Sequence, residues 1–254
     1  MEEPDASGHD ALMDRVYRHQ RHIYDLTRKY YLIGRDRLIR ELALEPGEAL
    51  VEVGCGTGRN LLAIARRYPG ARLFGLDASG EMLKTASRAV GQAGCSGRIH
   101  LVHGFAESLA PSLFERDNPF DRALFSYSLS MIPDWRAALG AAAAALSAGG
   151  SIHVVDFGDL TGLGWPASAL MRRWLALFHV QPRTEILGLL ERGGGDGLWI
   201  SPARYAFIWH RDAKALADPA LINVAAGSQP ARNSASLALS PASAVDMASP
   251  PRSR

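Results

Sequence analysis

The stretch Val51-Glu-Val-Gly-Cys-Gly-Thr-Gly-Arg59 constrains this chain more than any other. An apolar run (Ala49, Leu50, Val51, Val53) predicts a short buried strand, and the alternating glycines Gly54, Gly56 and Gly58 lead into an Ala/Leu-rich helix starting near Asn60. Glycines spaced this closely belong where φ must be positive or where a ligand presses on bare backbone. Glu52 stands two positions before the first glycine. Asp77 closes the next apolar run, Leu73-Phe-Gly-Leu-Asp77, about twenty residues after the last glycine, where βαβ nucleotide folds keep a ribose-binding carboxylate.

The spacing separates two kinds of ligand. A dinucleotide fingerprint reads G-x-G-x-x-G, with a helix N-terminus receiving a pyrophosphate. Here the pattern is G-x-G-x-G behind an acid, and Glu52 would repel a pyrophosphate but suit a cation. This E-x-G-x-G-x-G followed by Asp77 resembles the first two motifs of class I S-adenosylmethionine-dependent methyltransferases, whose cofactor carries an ammonium and a sulfonium. A glycine-rich turn in another α/β fold is the alternative.

That resemblance implies S-adenosylmethionine as cofactor and a set of residues around it. Glu52, Gly54, Cys55, Gly56 and Gly58 form the first loop, and Asp77 and Ala78 follow the second strand. Met82, behind the natural N-cap Ser79, would face the adenine or else be an ordinary core methionine. Gly104, Phe105, Ala106 and Glu107 follow the third strand, Ser126 ends the fourth, and Tyr24 and Tyr31 reach in from the N-terminal segment. Many relatives have an acid after the glycine to receive the adenine amino group. Phe105 stands there in this chain, which leaves the adenine to backbone groups, stacking or Glu107.

In chain order, residues 1–11 read as a disordered start and residues 12–44 as a long helical lid with a break at Gly34. This lid carries Arg15, Arg18, Arg21, Arg28, Lys29, Arg35, Arg37 and Arg40, and Tyr17, Tyr24 and Tyr31 recur at intervals of seven. Its basic side is either a solvated face or a surface for anionic lipid headgroups. Strands then alternate with helices: helix to Arg67, strand to Asp77, helix 80–91, strand 98–103, strand 122–127, helix 135–146 stopped by Gly149-Gly150, strand 152–157. A looser segment contains a helix over 167–180, which plain packing or a cover over the acceptor would both explain. A closing hairpin pairs residues 199–201 with 205–210. Residues 213–254 are rich in Ala, Ser and Pro and read as a disordered tail behind a domain spanning 12–212. With the resemblance, the expected fold is α/β: a Rossmann-like, seven-stranded, mainly parallel sheet with an antiparallel C-terminal hairpin strand, helices on both faces and an N-terminal helical lid.

Composition narrows the class. With 28 Lys and Arg against 26 Asp and Glu, the balance gives no reason to expect nucleic acid as a partner. No apolar run reaches the roughly 18 residues of a spanning helix, and the acidic start Met-Glu-Glu-Pro-Asp is unlike a secretory signal, so a cytoplasmic location is expected. The two cysteines, Cys55 and Cys95, have no C-x-x-C partner, so neither a disulfide framework nor a metal site is expected.

A second resemblance is narrower. Tyr17-Arg-His-Gln-Arg-His-Ile-Tyr-Asp-Leu-Thr-Arg-Lys-Tyr-Tyr-Leu-Ile-Gly-Arg-Asp-Arg37 is similar to the opening of the bacterial betaine-lipid methyltransferases, which trimethylate the amine of diacylglyceryl-homoserine. Phe125-Ser-Tyr-Ser-Leu-Ser-Met-Ile-Pro133 and Phe178-His-Val-Gln-Pro-Arg183 are similar to later segments of that family. The implied partner is a lipid substrate met from the inner face of the membrane. In-line methyl transfer mainly needs alignment. Tyr127, His179 or water would accept the proton, tyrosine faces would suit a quaternary ammonium, and Ser128 and Arg183 would hold the acceptor, Arg183 through its carboxylate. A quinone ring, a soluble amine, or cofactor binding without turnover are the rival readings.

Overall fold

A computed structural model describes residues 32–177, 180–192 and 197–212. The expected disordered ends and most of the N-terminal lid, including its tyrosines and the arginines before Arg35, lie outside these residues.

Among the described residues, seven strands form one mixed sheet in the order β3-β2-β1-β4-β5-β7-β6. These are β1 (Ala49–Val53), β2 (Arg72–Asp77), β3 (Ile99–His103), β4 (Phe120–Ser126), β5 (Leu146–Phe157), β6 (Leu198–Ile200) and β7 (Ala206–Asp212). The first five pair in parallel; β7 runs antiparallel to β5 and to β6. Helices α1 (Arg35–Glu41), α2 (Arg59–Arg67), α3 (Gly80–Gln92), α4 (Trp135–Ala144), α5 (Trp165–Ala176) and α6 (Thr184–Arg192) complete the fold. The expected fold class is the one observed.

Strand alternation sorts the core into two layers. Leu50, Leu73, Leu124 and Val155 pack with Leu38 of α1 and its C-cap Leu42, Leu61 and Ile64 of α2, Val90 of α3 and Leu175 of α5. Val51, Val53, Phe74 and Phe125 pack on the other face with Trp135, Ala138 and Ala142 of α4 and Ile186 and Leu187 of α6. Glu52 therefore shares its face with Leu50, toward the helices that follow the glycine loop. The C-terminal ends of β1, β2, β4 and β5 meet along one edge, where ligands bind in open α/β sheets.

Two local readings change. Gly149-Gly150 does not stop a helix: α4 ends at its cap Ala145, and the glycines lie inside β5. A register irregularity between Phe120 and Arg122 brings Gly150 so close that a Cβ there would stand 3.1 Å from the Asp121 carbonyl oxygen. The looser segment holds two helices, α5 and α6, where the pattern predicts one; the apolar run of α6 is too short to show a helical period. Gly34 caps the N-terminus of α1 with φ of 90°, and the lid before Leu32 lies outside the described residues.

Candidate functional site

The site is built on the turn after β1. Gly54 and Cys55 both donate their N–H groups to the Leu76 carbonyl, at 2.8 and 3.0 Å, which ties the loop to β2. Gly54 has φ of +74°, and a Cβ there would stand 2.6 Å from the Ser128 Cβ. Only glycine lets the loop and the turn after β4 approach this closely. Gly56 and Gly58 also take positive φ, of 54° and 73°.

Asp77 organises the second strand end. One carboxylate oxygen accepts from the Gly56 N–H at 2.7 Å and the other from the Ser79 N–H at 2.9 Å. Ser79 caps α3 by accepting from the Met82 N–H, and Met82 is buried beneath it. Gly104 donates to the Asp77 carbonyl at 3.1 Å, and the Ala78 carbonyl lies 2.9 Å from the His103 ring Nε2. Gly104, Phe105, Ala106 and Glu107 are half-buried beside this end, the last two in a 3-10 turn over Ala106–Ser108.

Glu52 is 1% exposed, and its Oε1 accepts from Asn60 Nδ2 at 2.6 Å. It forms part of a narrow cavity of about 30 Å³, lined also by Leu32, Arg35, Cys55, Arg59 and Ser126. The Ser126 hydroxyl is buried there without a hydrogen-bond partner. A carboxylate with two guanidinium groups on the surrounding wall matches an amino-acid end, ammonium to Glu52 and carboxylate to an arginine. The volume admits only one or two waters. Burial, with Asp77 and Glu52 adding to it, pushes the Cys55 thiol well up, so it stays protonated and unreactive.

On the acceptor side, Tyr127 differs from its expected role. It is 2% exposed, has φ of +56°, and its hydroxyl donates to the Ile33 carbonyl at 2.5 Å. Its ring packs edge-on against Phe157 at 4.7 Å. The geometry makes it a latch between the end of β4 and the N-terminal segment, with its hydroxyl turned to backbone. Ser128 is buried against Gly54, its hydroxyl without a partner.

Arg183 is half-buried and no solvated surface arginine: its Nη2 donates to the Ile132 carbonyl at 3.0 Å. It faces Asp156, at the mouth of β5, which accepts from the N–H groups of Ser130 at 2.9 Å and Phe157 at 2.8 Å. Burial pushes the Asp156 carboxyl up to about 6, against the pull of those donors and of Arg183. His179, Tyr24 and Tyr31 lie outside the described residues. Thus the structure gathers Glu52, the glycines, Asp77 and Ser126 into one mouth, and sets Arg183 in a neighbouring cluster with Asp156 and Ser130. Sequence reasoning missed Asn60, Arg35 and the acceptor-side place of Asp156. An acid closing an apolar strand, the signal that marked Asp77, marks Asp156 equally.

Residues 50–150 match the family described as Methyltransferase domain. The ubiquinone/menaquinone biosynthesis C-methyltransferase UbiE of Syntrophotalea carbinolica is 32% identical over 195 residues, 73% of this chain and 77% of that relative. The chain belongs to the class I S-adenosylmethionine-dependent methyltransferases. The demethylmenaquinone methyltransferase of Geobacillus kaustophilus is 30% identical over 134 residues, where the chain spans about half of the relative's length, 51%. The S-adenosylmethionine-dependent methyltransferase SibL, solved in its apo form, shares the fold, with a TM-score of 0.57 at 18% identity over 75% of this chain and 57% of that one.

The methyltransferase's cofactor is S-adenosylmethionine, which supplies an electrophilic methyl group on a sulfonium. The residues present fit it. The buried Glu52 and the wall arginines suit its zwitterionic methionine end. Asp77 ends β2 beside the glycine loop, where a carboxylate receives the ribose hydroxyls of a nucleoside. The orphaned Ser126 hydroxyl sits between these groups and the acceptor side.

Proposed function

We propose that the enzyme methylates a lipid-soluble acceptor, and that the acceptor is a quinol-type ring, methylated at carbon. The alignment with a relative named as a quinone C-methyltransferase over 77% of that relative's length carries this reading. It favours the ring over the lipid amine implied by the narrower sequence resemblance. The amine of diacylglyceryl-homoserine is the second reading, supported by residues 17–37, 125–133 and 178–183, which are similar to the betaine-lipid enzymes.

In either case the protein's contribution is placement. The glycine loop and Asp77 fix the cofactor, and the turn after β4, with Ser128 against Gly54, sets the approach of the acceptor. Such placement supplies several kcal/mol of a displacement barrier. A lipid-soluble acceptor implies a peripheral membrane location and contact with anionic headgroups. No helix among the described residues is long and apolar enough to cross a membrane.

The test is incubation of the protein with methyl-labelled cofactor and, in parallel, a demethylated quinol, diacylglyceryl-homoserine and a soluble amine, with products read by mass spectrometry. One methyl on the quinol ring is the expected result. Stepwise methylation of the lipid amine alone would establish the second reading. Turnover of only the soluble amine would overturn both, and cofactor binding without any product would mark a non-catalytic module.

A further inference from the structure

The helix α5 presents its apolar residues in two directions. Leu175 is buried, and Met171 and Trp174 pack against the core. Trp165 is 83% exposed, Leu170 70%, and Leu177, just past the helix, 63%. Five large apolar side chains are exposed among the described residues, and these are three of them, so the exposure is concentrated on one element. A water-facing helix normally turns polar groups outward, and scattered single apolar residues need no explanation, whereas a cluster does.

Charge tells what the cluster meets. Residues 160–184 contain Arg172, Arg173 and Arg183 and no Asp or Glu. Arg172 is held by the Asp159 carbonyl. Arg173, in the last turn, is exposed beside the apolar residues. A basic, carboxylate-free segment with an exposed tryptophan and leucine is complementary to an anionic lipid surface, where indole sits at the headgroup boundary and guanidinium among the phosphates. A protein partner's apolar patch would leave the basic character without a counterpart.

The position of α5 connects this face to the acceptor side. Val180 donates to the Leu175 carbonyl at 3.1 Å, Gln181 to the Ser130 carbonyl at 3.2 Å, and Arg183 to the Ile132 carbonyl. The chain leaving α5 is therefore bound to the turn after β4, beside Ser128. We propose that the outward face of α5 docks on anionic membrane, with Trp165 and Leu170 inserted at the headgroup boundary and Arg173 among the phosphates, so that a lipid-soluble acceptor is delivered next to the turn that receives it. The purpose of this docking rests on the proposed acceptor class, but its test requires no acceptor, so either can fail alone.

The experiment uses the full chain with vesicles of phosphatidylcholine alone and of equal parts phosphatidylcholine and phosphatidylglycerol. Binding is read by co-sedimentation and by the Trp165 emission, taken as the difference between parent and Trp165→Phe proteins. The parent should bind the anionic vesicles with a blue shift of that emission. Trp165→Ser/Leu170→Glu should bind about tenfold more weakly or worse while keeping its cofactor affinity, since charge replaces inserted apolar surface. Arg173→Glu should weaken binding to the anionic vesicles and not to the neutral ones. Three results overturn the proposal. The double variant binds like the parent; or sedimentation shows a parent dimer that the double variant splits, making a second copy the occupant; or acrylamide quenching shows Trp165 already shielded in the free protein, making the chain's own remainder the occupant.

Discussion

Replacing Asp77 by alanine separates what this carboxylate does for the fold from what it does for the cofactor. In the free protein it accepts two backbone hydrogen bonds, from Gly56 at 2.7 Å and Ser79 at 2.9 Å. Bonds to a charged group contribute about 1.5–3 kcal/mol each, but both donors here are only partly buried and would regain water, so the low end applies. A loss of about 3 kcal/mol for the two bonds should lower the melting temperature by about 6–12 °C, at about 2–4 °C per kcal/mol for a domain of this size. Asp77→Asn keeps one acceptor oxygen but turns an amide donor toward the other N–H group, and should lose about 1 kcal/mol. Ribose hydroxyls that lose an ionised acceptor should cost about 1.5–3 kcal/mol more on binding, or about 10- to 150-fold in affinity. Melting of the cofactor-free protein reads the first effect, and calorimetric titration well below the melting temperature reads the second. An unchanged melting temperature would show that the two backbone bonds do not hold the loop. Unchanged affinity in a folded variant would remove Asp77 from the cofactor site.

Gly54→Ala should lose about 2–4 kcal/mol in chemical denaturation, from positive φ and from a Cβ 2.6 Å from the Ser128 Cβ. Adding Ser128→Gly should recover part of that loss, and no recovery would mean strain alone is responsible. Tyr127→Phe removes the bond to the Ile33 carbonyl and should cost about 0.5–1.5 kcal/mol. Hydrogen exchange should quicken over residues 34–42 while β4 stays protected, and a fall in turnover beyond about tenfold would return Tyr127 to the chemistry. Asp156 has its carboxyl raised to about 6, so the fold holds a proton that the unfolded chain releases near 3.8. Its contribution is full below that ordinary value and is lost as pH rises through 6, by about 3 kcal/mol. The stability difference between the parent and Asp156→Asn should therefore shift against the parent from pH 4 to about 6.5 and stay level above; a flat difference would refute the raised value.

Short-range pattern accounts for the local features. Apolar runs of strand length, the glycine loop, the acid ending β2 and the cap at Ser79 each depend on residues a few positions apart, and each is found where the pattern put it. The cofactor end of the site was legible for the same reason: its parts lie in two successive strand-to-helix turns. The acceptor side was not. Tyr127 bonds to a carbonyl 94 residues away in the chain, and Arg183 to one 51 residues away. Nothing in the spacing of Tyr127 distinguishes a buried latch from a side chain open to the pocket. Helix α5 shows the same limit, since its apolar residues occupy more than one face and only packing on the sheet decides that Leu175 goes inward while Trp165 and Leu170 stay out. Burial of Asp156 likewise follows from the turn after β4 folding over the end of β5. Local pattern specifies which elements form, because backbone hydrogen bonding and side-chain period act over a few residues. The direction a side chain faces at the meeting of several elements is set by all of them at once.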